Sequence, residues 1–493
     1  MATRTTGRTG RTGQERRTAV VVAVLTVAAF VVILNETIMV NAIPQLMEVF
    51  TIDARAAQWL STAFMLTMAV VIPSTGWILQ RLGTRSSFAL AMALFCAGTL
   101  LAGLAPVYPV LLAGRVVQAC GTAIMMPLLM TTVLNLVPEQ HRGTVMGNVT
   151  LTISVAPALG PAVSGIILQF ASWRWIFGLV LPLAALIAVT GLRLLERDEP
   201  QTPGRLDGLS VLLTVVGFGG LIYGLSQLGG EGGEGAGTAA SSTQGGGVVP
   251  LIALAVGAVG LAVFVLRQLR LQRGGAPLLD LRVLRHRLYT IAVTVASLSF
   301  MGLMGVMILL PLYLQDVRGL TTLQTGLLLM PGGLVMGLLG PVVGRLYDRV
   351  GARTLVLPGA VIVLLALAGT AYAVQAAPWW CFLLLHGLLS VGLAMMFTPI
   401  FTLGLGSLPH HLYAHGSALL GTVQQVAAAA GTALVVTIMA TRASTLEHRG
   451  TPEALALAGG VQWAVTTAAV LAVLVLALVL LLPRRPDAQH PGA

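Results

Sequence analysis

The chain has 493 residues, 56% of them hydrophobic and only 9% charged, with a mean hydropathy of +0.90. No water-soluble core needs that much apolar surface, so a soluble enzyme or binding module is excluded and a polytopic membrane protein remains. The net charge of +11 comes from 28 basic residues, all Arg, against 17 acids; these arginines sit in short loops between apolar runs, where they act as topology signals rather than as a nucleic-acid surface.

In chain order, residues 1–18 are polar, carry five arginines and read as an unstructured cytoplasmic tail. The apolar run from Ala19 is too long for a signal-peptide core and lacks a small-residue cleavage site, so it is expected to stay as a membrane span. Further spans are predicted at about 57–78, 86–105, 109–134, 144–168, 174–194, 209–228, 248–268, 289–312, 324–344, 354–375, 379–405, 415–440 and 461–482, fourteen in all. Alternate loops hold the arginines (Arg81 and Arg85, Arg142, Arg197 and Arg205, Arg267 to Arg287, Arg345 to Arg353, Arg484 and Arg485), which places both termini in the cytoplasm. The Gly-rich stretch Gly229–Gly247 reads as a flexible external linker. Cys96, Cys120 and Cys381 fall inside spans, scattered and odd in number, as packing residues rather than a disulfide or metal set.

One acid stands well inside an apolar segment. Glu36 lies 17 residues past Ala19, so at about 1.5 Å per residue it sits some 25 Å in, towards the far face. An ionisable group in hydrocarbon costs about 3 kcal/mol on insertion scales and is rarely kept without a use. A carboxyl out of water favours its neutral form and can give up its proton when a cation or water arrives, which makes Glu36 a candidate proton-coupling site. The alternative is a helix-end Glu reaching the outer headgroups.

An internal repeat follows from the loops. Gly76, Arg81, Gly83 and Arg85, between spans two and three, match Gly344, Arg349, Gly351 and Arg353, between spans ten and eleven, without a gap. Two six-helix bundles (19–195 and 289–482) with two inserted helices between them (196–288), and tails at 1–18 and 483–493, account for the whole chain. Repeated halves around a midplane site are the layout of secondary transporters.

The repeated loop resembles the signature of the major facilitator superfamily. The stretch Leu34 to Pro44, the segments Gln58 to Ala69 and Ser172 to Phe177, and Leu206-Asp207-Gly208 resemble its fourteen-span drug:proton antiporters. The Asn35-Glu36-Thr37 form is similar to the lincomycin-resistance-type exporters of that branch. The resemblance implies an all-α major facilitator fold of fourteen helices, with Gly76, Gln80, Arg81, Gly83, Arg85, Asp348 and Arg349 as gating residues. The family loop usually carries an Asp where Gln80 stands, so the latch of the first half is in question, while Asp348 keeps the acid in the second copy. The family's first-helix acid most often stands at Asn35, one position or about 100° from Glu36. The Asn expected after Phe177 is Val180.

Span four carries Arg115 and, one turn on, Gln118. A buried guanidinium must be paired or hydrated. The resemblance makes Arg115 a proton-relay residue, and a cation near Glu36 would ease release of its proton; the alternative is an Arg that ties helix ends together. Span five holds Pro157, Gly160, Pro161 and Gly165, which resemble the antiporter signature; bent by two prolines and striped with small residues, it can seal against leak or serve packing alone. Asn35, Thr37, Gln118, Gln424 and Gln425 are candidate substrate-binding groups, with Met125 and Met126 as a pliable apolar wall and His386 as a further polar or titrating group. For the amides the alternative is helix–helix hydrogen bonding, and for the methionines plain core.

The reading is a proton-coupled antiporter, with no cofactor beyond the proton gradient, that exports lipophilic and cationic drugs or antibiotics and works as a monomer. Its partners are a small lipophilic substrate, protons and the bilayer, with no nucleic acid. The same fold could instead export an endogenous metabolite, lipid or siderophore, or import by symport. A channel or intramembrane enzyme would need a repeated polar filter or a second catalytic group, and the sequence carries neither.

Overall fold

The computed structural model describes residues 6–195, 207–228, 248–274 and 277–483. Thirteen of its helices are long and apolar enough to cross a membrane. One of them, 56–103, runs for 48 residues, about 72 Å at 1.5 Å per residue, more than twice a hydrocarbon core of about 30 Å. It is interrupted at Gly83 (φ 72°, ψ 178°), a left-handed backbone that glycine adopts without a steric penalty. Counted as two crossings, it brings the spans to fourteen.

The first bundle comprises α1 (Thr6–Val40), a short α2 (Ile43–Phe50), α3 (Ala54–Gly103), α4 (Tyr108–Leu136), α5 (Arg142–Phe170) and α6 (Arg174–Leu194). The inserted pair is α7 (Gly208–Thr214) continuing through a π-helical turn (Val215–Gly219) into α8 (Gly220–Leu228), and α9 (Val248–Gly274). The second bundle comprises α10 (Arg287–Leu312), α11 (Thr322–Val350), α12 (Ala352–Ala376), α13 (Trp380–Gly406), α14 (Tyr413–Glu447) and α15 (Glu453–Val479). Local chemistry explains several starts. Asp53 accepts from the Ala56 amide ahead of α3, and Thr321 and Gln324 form a reciprocal capping box ahead of α11.

The repeat is also a repeat of backbone. Gly351, between α11 and α12, has φ 81° and ψ 174°, the conformation of Gly83 between the two crossings of α3. Two boundaries differ from expectation. The first helix begins at Thr6, so 6–18, expected to be unstructured, is helical from Thr6 on; once a span has nucleated a helix, propagation into a Pro-free segment costs little. The last helix begins at Glu453 rather than Val461, because Pro452 and an acid in the first turn favour a start there. Residues 1–5 of the tail, Gly229–Gly247, Arg197, Arg205, Leu206, Arg484 and Arg485 lie outside the described residues.

The inserted pair packs on both bundles, against α3 and α14. Trp59 stacks on Tyr223 at 6.0 Å. At the Arg-rich end Arg267 donates twice to Asp207 (2.7 and 2.8 Å), and the buried Gln268 donates to Ser210 and accepts the amides of Leu278 and Leu279. The insert and the linker into the second bundle are thus tied at one end.

Candidate functional site

The site grows from a close crossing of α4 on the second crossing of α3. A Cβ on Gly98 would run into the backbone of Gln118, one on Gly114 into Ala102, and one on Gly121 into Ala91 and Phe95. Glycine at these positions lets the backbones meet and holds Arg115 and Gln118 inside the bundle, 1% and 0% exposed. Arg115 Nη1 donates to Gln118 Oε1 at 2.7 Å and to Asn35 Oδ1 at 3.4 Å. Gln118 passes the chain on, donating to the Thr99 hydroxyl at 2.8 Å, and Thr99 donates to the Phe95 carbonyl. The guanidinium also lies over the Phe64 ring, 4.1 Å from its centroid. Two donors in the network stay unmet, Arg115 Nε and Asn35 Nδ2; each unpaired buried group costs about 1–3 kcal/mol.

Glu36 sits beside this network. At about 100° per residue it falls opposite the exposed stripe of Val20, Ala23 and Val27, so it faces the protein interior and not lipid. It is half-buried, and its carboxylate makes no hydrogen bond or ion pair among the described residues. It and Arg115 interact through space without direct contact. A half-buried acid with no hydrogen-bond partner, beside a fully packed cation, can take up or release a proton without first giving up a hydrogen bond.

The bundles touch at the Arg-rich end. Asp348, at the end of α11, accepts from the amides of Gly143 and Thr144 (both 2.8 Å) and from the Thr144 hydroxyl (2.7 Å), and so caps α5 in trans. Gln80, its counterpart in the first copy, donates to the His411 carbonyl at 2.9 Å. Gly147 and Gly340 bring α5 and α11 into backbone contact, and a Cβ on Gly76 would stand 2.5 Å from His415 Nδ1. Thr131 with Ser417 and Thr398 with Thr150 close the same end. Towards the other end Gly165 of α5 and Gly326 of α11 are exposed, with nothing within 4 Å. The described contacts thus hold the two bundles together at the Arg-rich end.

The remaining predicted residues separate into groups. Asn35 and Gln118, expected to bind substrate, are enclosed in the Arg115 network, because a buried guanidinium claims their oxygens. Thr37 bonds back to the Ile33 and Leu34 carbonyls and packs on Gly160. Near Pro157, the carbonyl of Pro161 accepts from Ser164 and from Asn41, in the turn just after α1, so the end of α1 is seamed to this part of α5, while Gly165 stands beyond it. Met125 is 1% exposed in the core, which removes it from a pliable wall, and Met126 is half-buried against that core. Gln424 and Gln425 are half-buried without hydrogen bonds among the described residues. His386 lies in the second bundle, away from Glu36, 4% exposed with neither ring nitrogen bonded. Arg81 and Arg85 are engaged, and Arg349 is exposed. Sequence reasoning missed Thr99 and Thr144 and read Phe64 only as part of a family-like stretch and His415 only as a loop charge; their contacts come from helix crossings and not from local pattern. It placed Arg142 only as a loop charge, yet Arg142 is 6% exposed, binds the Leu134 and Val137 carbonyls and lies over the Tyr413 ring of the second bundle. Among the described residues no three metal-ligating side chains gather.

Residues 25–432 match the profile of the Major Facilitator Superfamily. The chain is similar to the uncharacterized MFS-type transporter YcnB of Bacillus subtilis, 38% identical over 96% of this chain and 97% of that one. It is also similar to the lincomycin resistance protein LmrB of Listeria innocua, 37% identical over 87% and 88%. Among solved structures the human organic anion transporter MFSD10 superposes with a TM-score of 0.65 at 15% identity, covering 94% of this chain and 99% of that one, a likeness of fold.

Proposed function

The chain belongs to the major facilitator superfamily, a multi-pass membrane transporter and not an enzyme, and from that premise we propose that it exports lipophilic, cationic drugs or antibiotics in exchange for protons. Resistance proteins at 37% identity support the cargo class, and the Arg-rich end is assigned to the cytoplasm of a bacterial inner membrane. One observation carries the coupling: Glu36 faces the interior, half-buried and with no hydrogen-bond partner, beside the fixed charge of Arg115. In the cycle the cytoplasm-facing form binds cargo with Glu36 ionised, the bundles rock to the form described above, an external proton reaches Glu36 and the cargo leaves. The protonated carrier then returns and releases its proton inside. A cation and a proton compete for the same carboxylate, and that competition is the coupling. The proton gradient is the energy source, no cofactor takes part, and a monomer contains the whole site.

The test uses inside-out vesicles under an imposed proton gradient, with ethidium and lincomycin as cargo. Wild type should accumulate a cargo and Glu36→Gln should not. Equal accumulation by both would remove Glu36 from the coupling. If wild type moves neither probe, an endogenous metabolite, lipid or siderophore becomes the better cargo.

A further inference from the structure

The first bundle leaves a histidine in the second unexplained. Gly121 of α4 packs on Ala91 and Phe95, and Gly392 of α13 packs on Gly359 and Val363. Gly359 and Val363 follow Ala91 and Phe95 at the interval by which Gly344 follows Gly76, so these are the same crossing in the two repeats. Six residues before Gly121 stands Arg115, and six before Gly392 stands His386. The acid has its own counterpart: Gly160 packs on Thr37 and Gly431 on Met301, so the residues preceding them correspond, Glu36 with Phe300 and Asn35 with Ser299. The second bundle keeps a basic group at the Arg115 position and has an aromatic ring in place of the acid.

The surroundings of His386 are built for an imidazole and leave it unsatisfied. A side chain on Gly332 of α11 would fill its space, reaching 2.6 Å from Nε2. Neither nitrogen is hydrogen-bonded. The Leu329 carbonyl of α11 lies close without closing a bond. Among the described residues, no charged or titratable side chain of the helices packed on α13 (α5, α10, α11, α12 and α14) acts on the His386 ring; Arg142 of α5 meets α13 at Gly406, twenty residues further on, and Tyr289 of α10 beside Gly404. Simple packing would be met better by Leu. A notch holding a ring with two free nitrogens fits a group whose partner arrives in another state.

We propose that His386 is a second proton-binding site, loaded on one ring nitrogen while the other remains N–H, when the second bundle moves and water reaches the notch. This rests on the proton-coupled reading above. It adds one proton per cycle to the one carried by Glu36, so transport of a monovalent cation would move net charge.

Two measurements test it. The full chain in lipid nanodiscs, labelled with nitrogen-15 histidine, is followed by NMR from pH 5 to 8, with His386→Gln and His386→Asn to identify the signal. The resonance missing from the variants should move to the imidazolium position within this range; a resonance that stays neutral throughout overturns the proposal. In vesicles, steady-state ethidium accumulation by His386→Gln should fall by about tenfold per unit of imposed pH difference, the thermodynamic weight of one coupled proton. Accumulation equal to wild type overturns it. The Glu36→Gln comparison decides the parent reading separately: coupling lost there with a silent His386 sinks only this inference, while a titrating His386 with Glu36→Gln at wild-type level sinks only the assignment of Glu36.

Discussion

At matching places in the two bundles stand Arg115, bonded to Asn35 and Gln118 and stacked on Phe64, and His386, bonded to nothing. The same crossing glycine sets both, and the same step along the first helix of each bundle reaches Glu36 in one and Phe300 in the other. The closed end inverts the pattern, since there the second repeat has the acid, Asp348, and the first has the neutral Gln80. Duplicated architecture thus supplies two frames, and the chain has put fixed charge in the midsection of one and at the gate of the other. On the function proposed above this asymmetry has a use: Glu36 takes up the proton in the first bundle, and Asp348 of the second holds the halves together at the Arg-rich end.

The largest expected effect tests the midsection. Arg115→Ala empties a packed position and leaves the buried Asn35 and Gln118 oxygens unpaired, at about 1–3 kcal/mol for each orphaned group, so a loss of about 3 kcal/mol or more in all. His386→Ala removes a ring that bonds nothing, and its cost is a cavity alone, about 1–3 kcal/mol. Thermal melts of both variants in nanodiscs, read by intrinsic fluorescence, should rank Arg115→Ala well below His386→Ala. Equal loss would mean the two positions are packing sites of one kind.

Next comes the gate. Asp348 takes three hydrogen bonds with its charge at the N-terminus of α5, and Asn could keep only part of them. Asp348→Asn should cost the closed form about 2 kcal/mol, shifting the balance of states roughly 30-fold towards the end-open form. Gln80→Ala removes one neutral bond, about 1 kcal/mol and roughly fivefold. Spin-label distances between the Arg-rich ends of α5 and α11 measure both shifts. A larger shift from Gln80→Ala than from Asp348→Asn would reverse the assignment of the latch.

These partnerships mark the limit of what the sequence discloses. The spans, the repeated loop and the presence of Glu36 and Arg115 inside apolar spans were legible because hydropathy, arginine placement and an acid in an apolar run are local signals. That Asp348 meets Gly143, or that Gly76 makes room for His415, depends on helices that touch across the two halves, and no periodicity within either helix encodes it. Asn35 and Gln118 read as cavity amides because the residue type is the same whether the oxygen faces a ligand or an arginine. Met125 likewise carries no sign of which side of α4 the core takes.

The smallest effect belongs to the inserted pair, where Arg267 and Ser210 donate to Asp207. These bonds, the one from Arg267 foremost, hold the Asp207 carboxyl at about 2, below its ordinary 3.8. Its stabilisation is therefore complete above about pH 4 and is lost as pH falls towards 2. The pair is partly exposed, 33% for Arg267 and 20% for Asp207, so solvent and salt screen it. Asp207→Asn should lower the melting temperature at pH 7 by only roughly a degree or two, with no change in that difference from pH 5 to 9. Salt should shrink it. A drop as large as that of Arg115→Ala would mean that the insert holds the two bundles together, and that the charge asymmetry between the repeats is secondary to this tie.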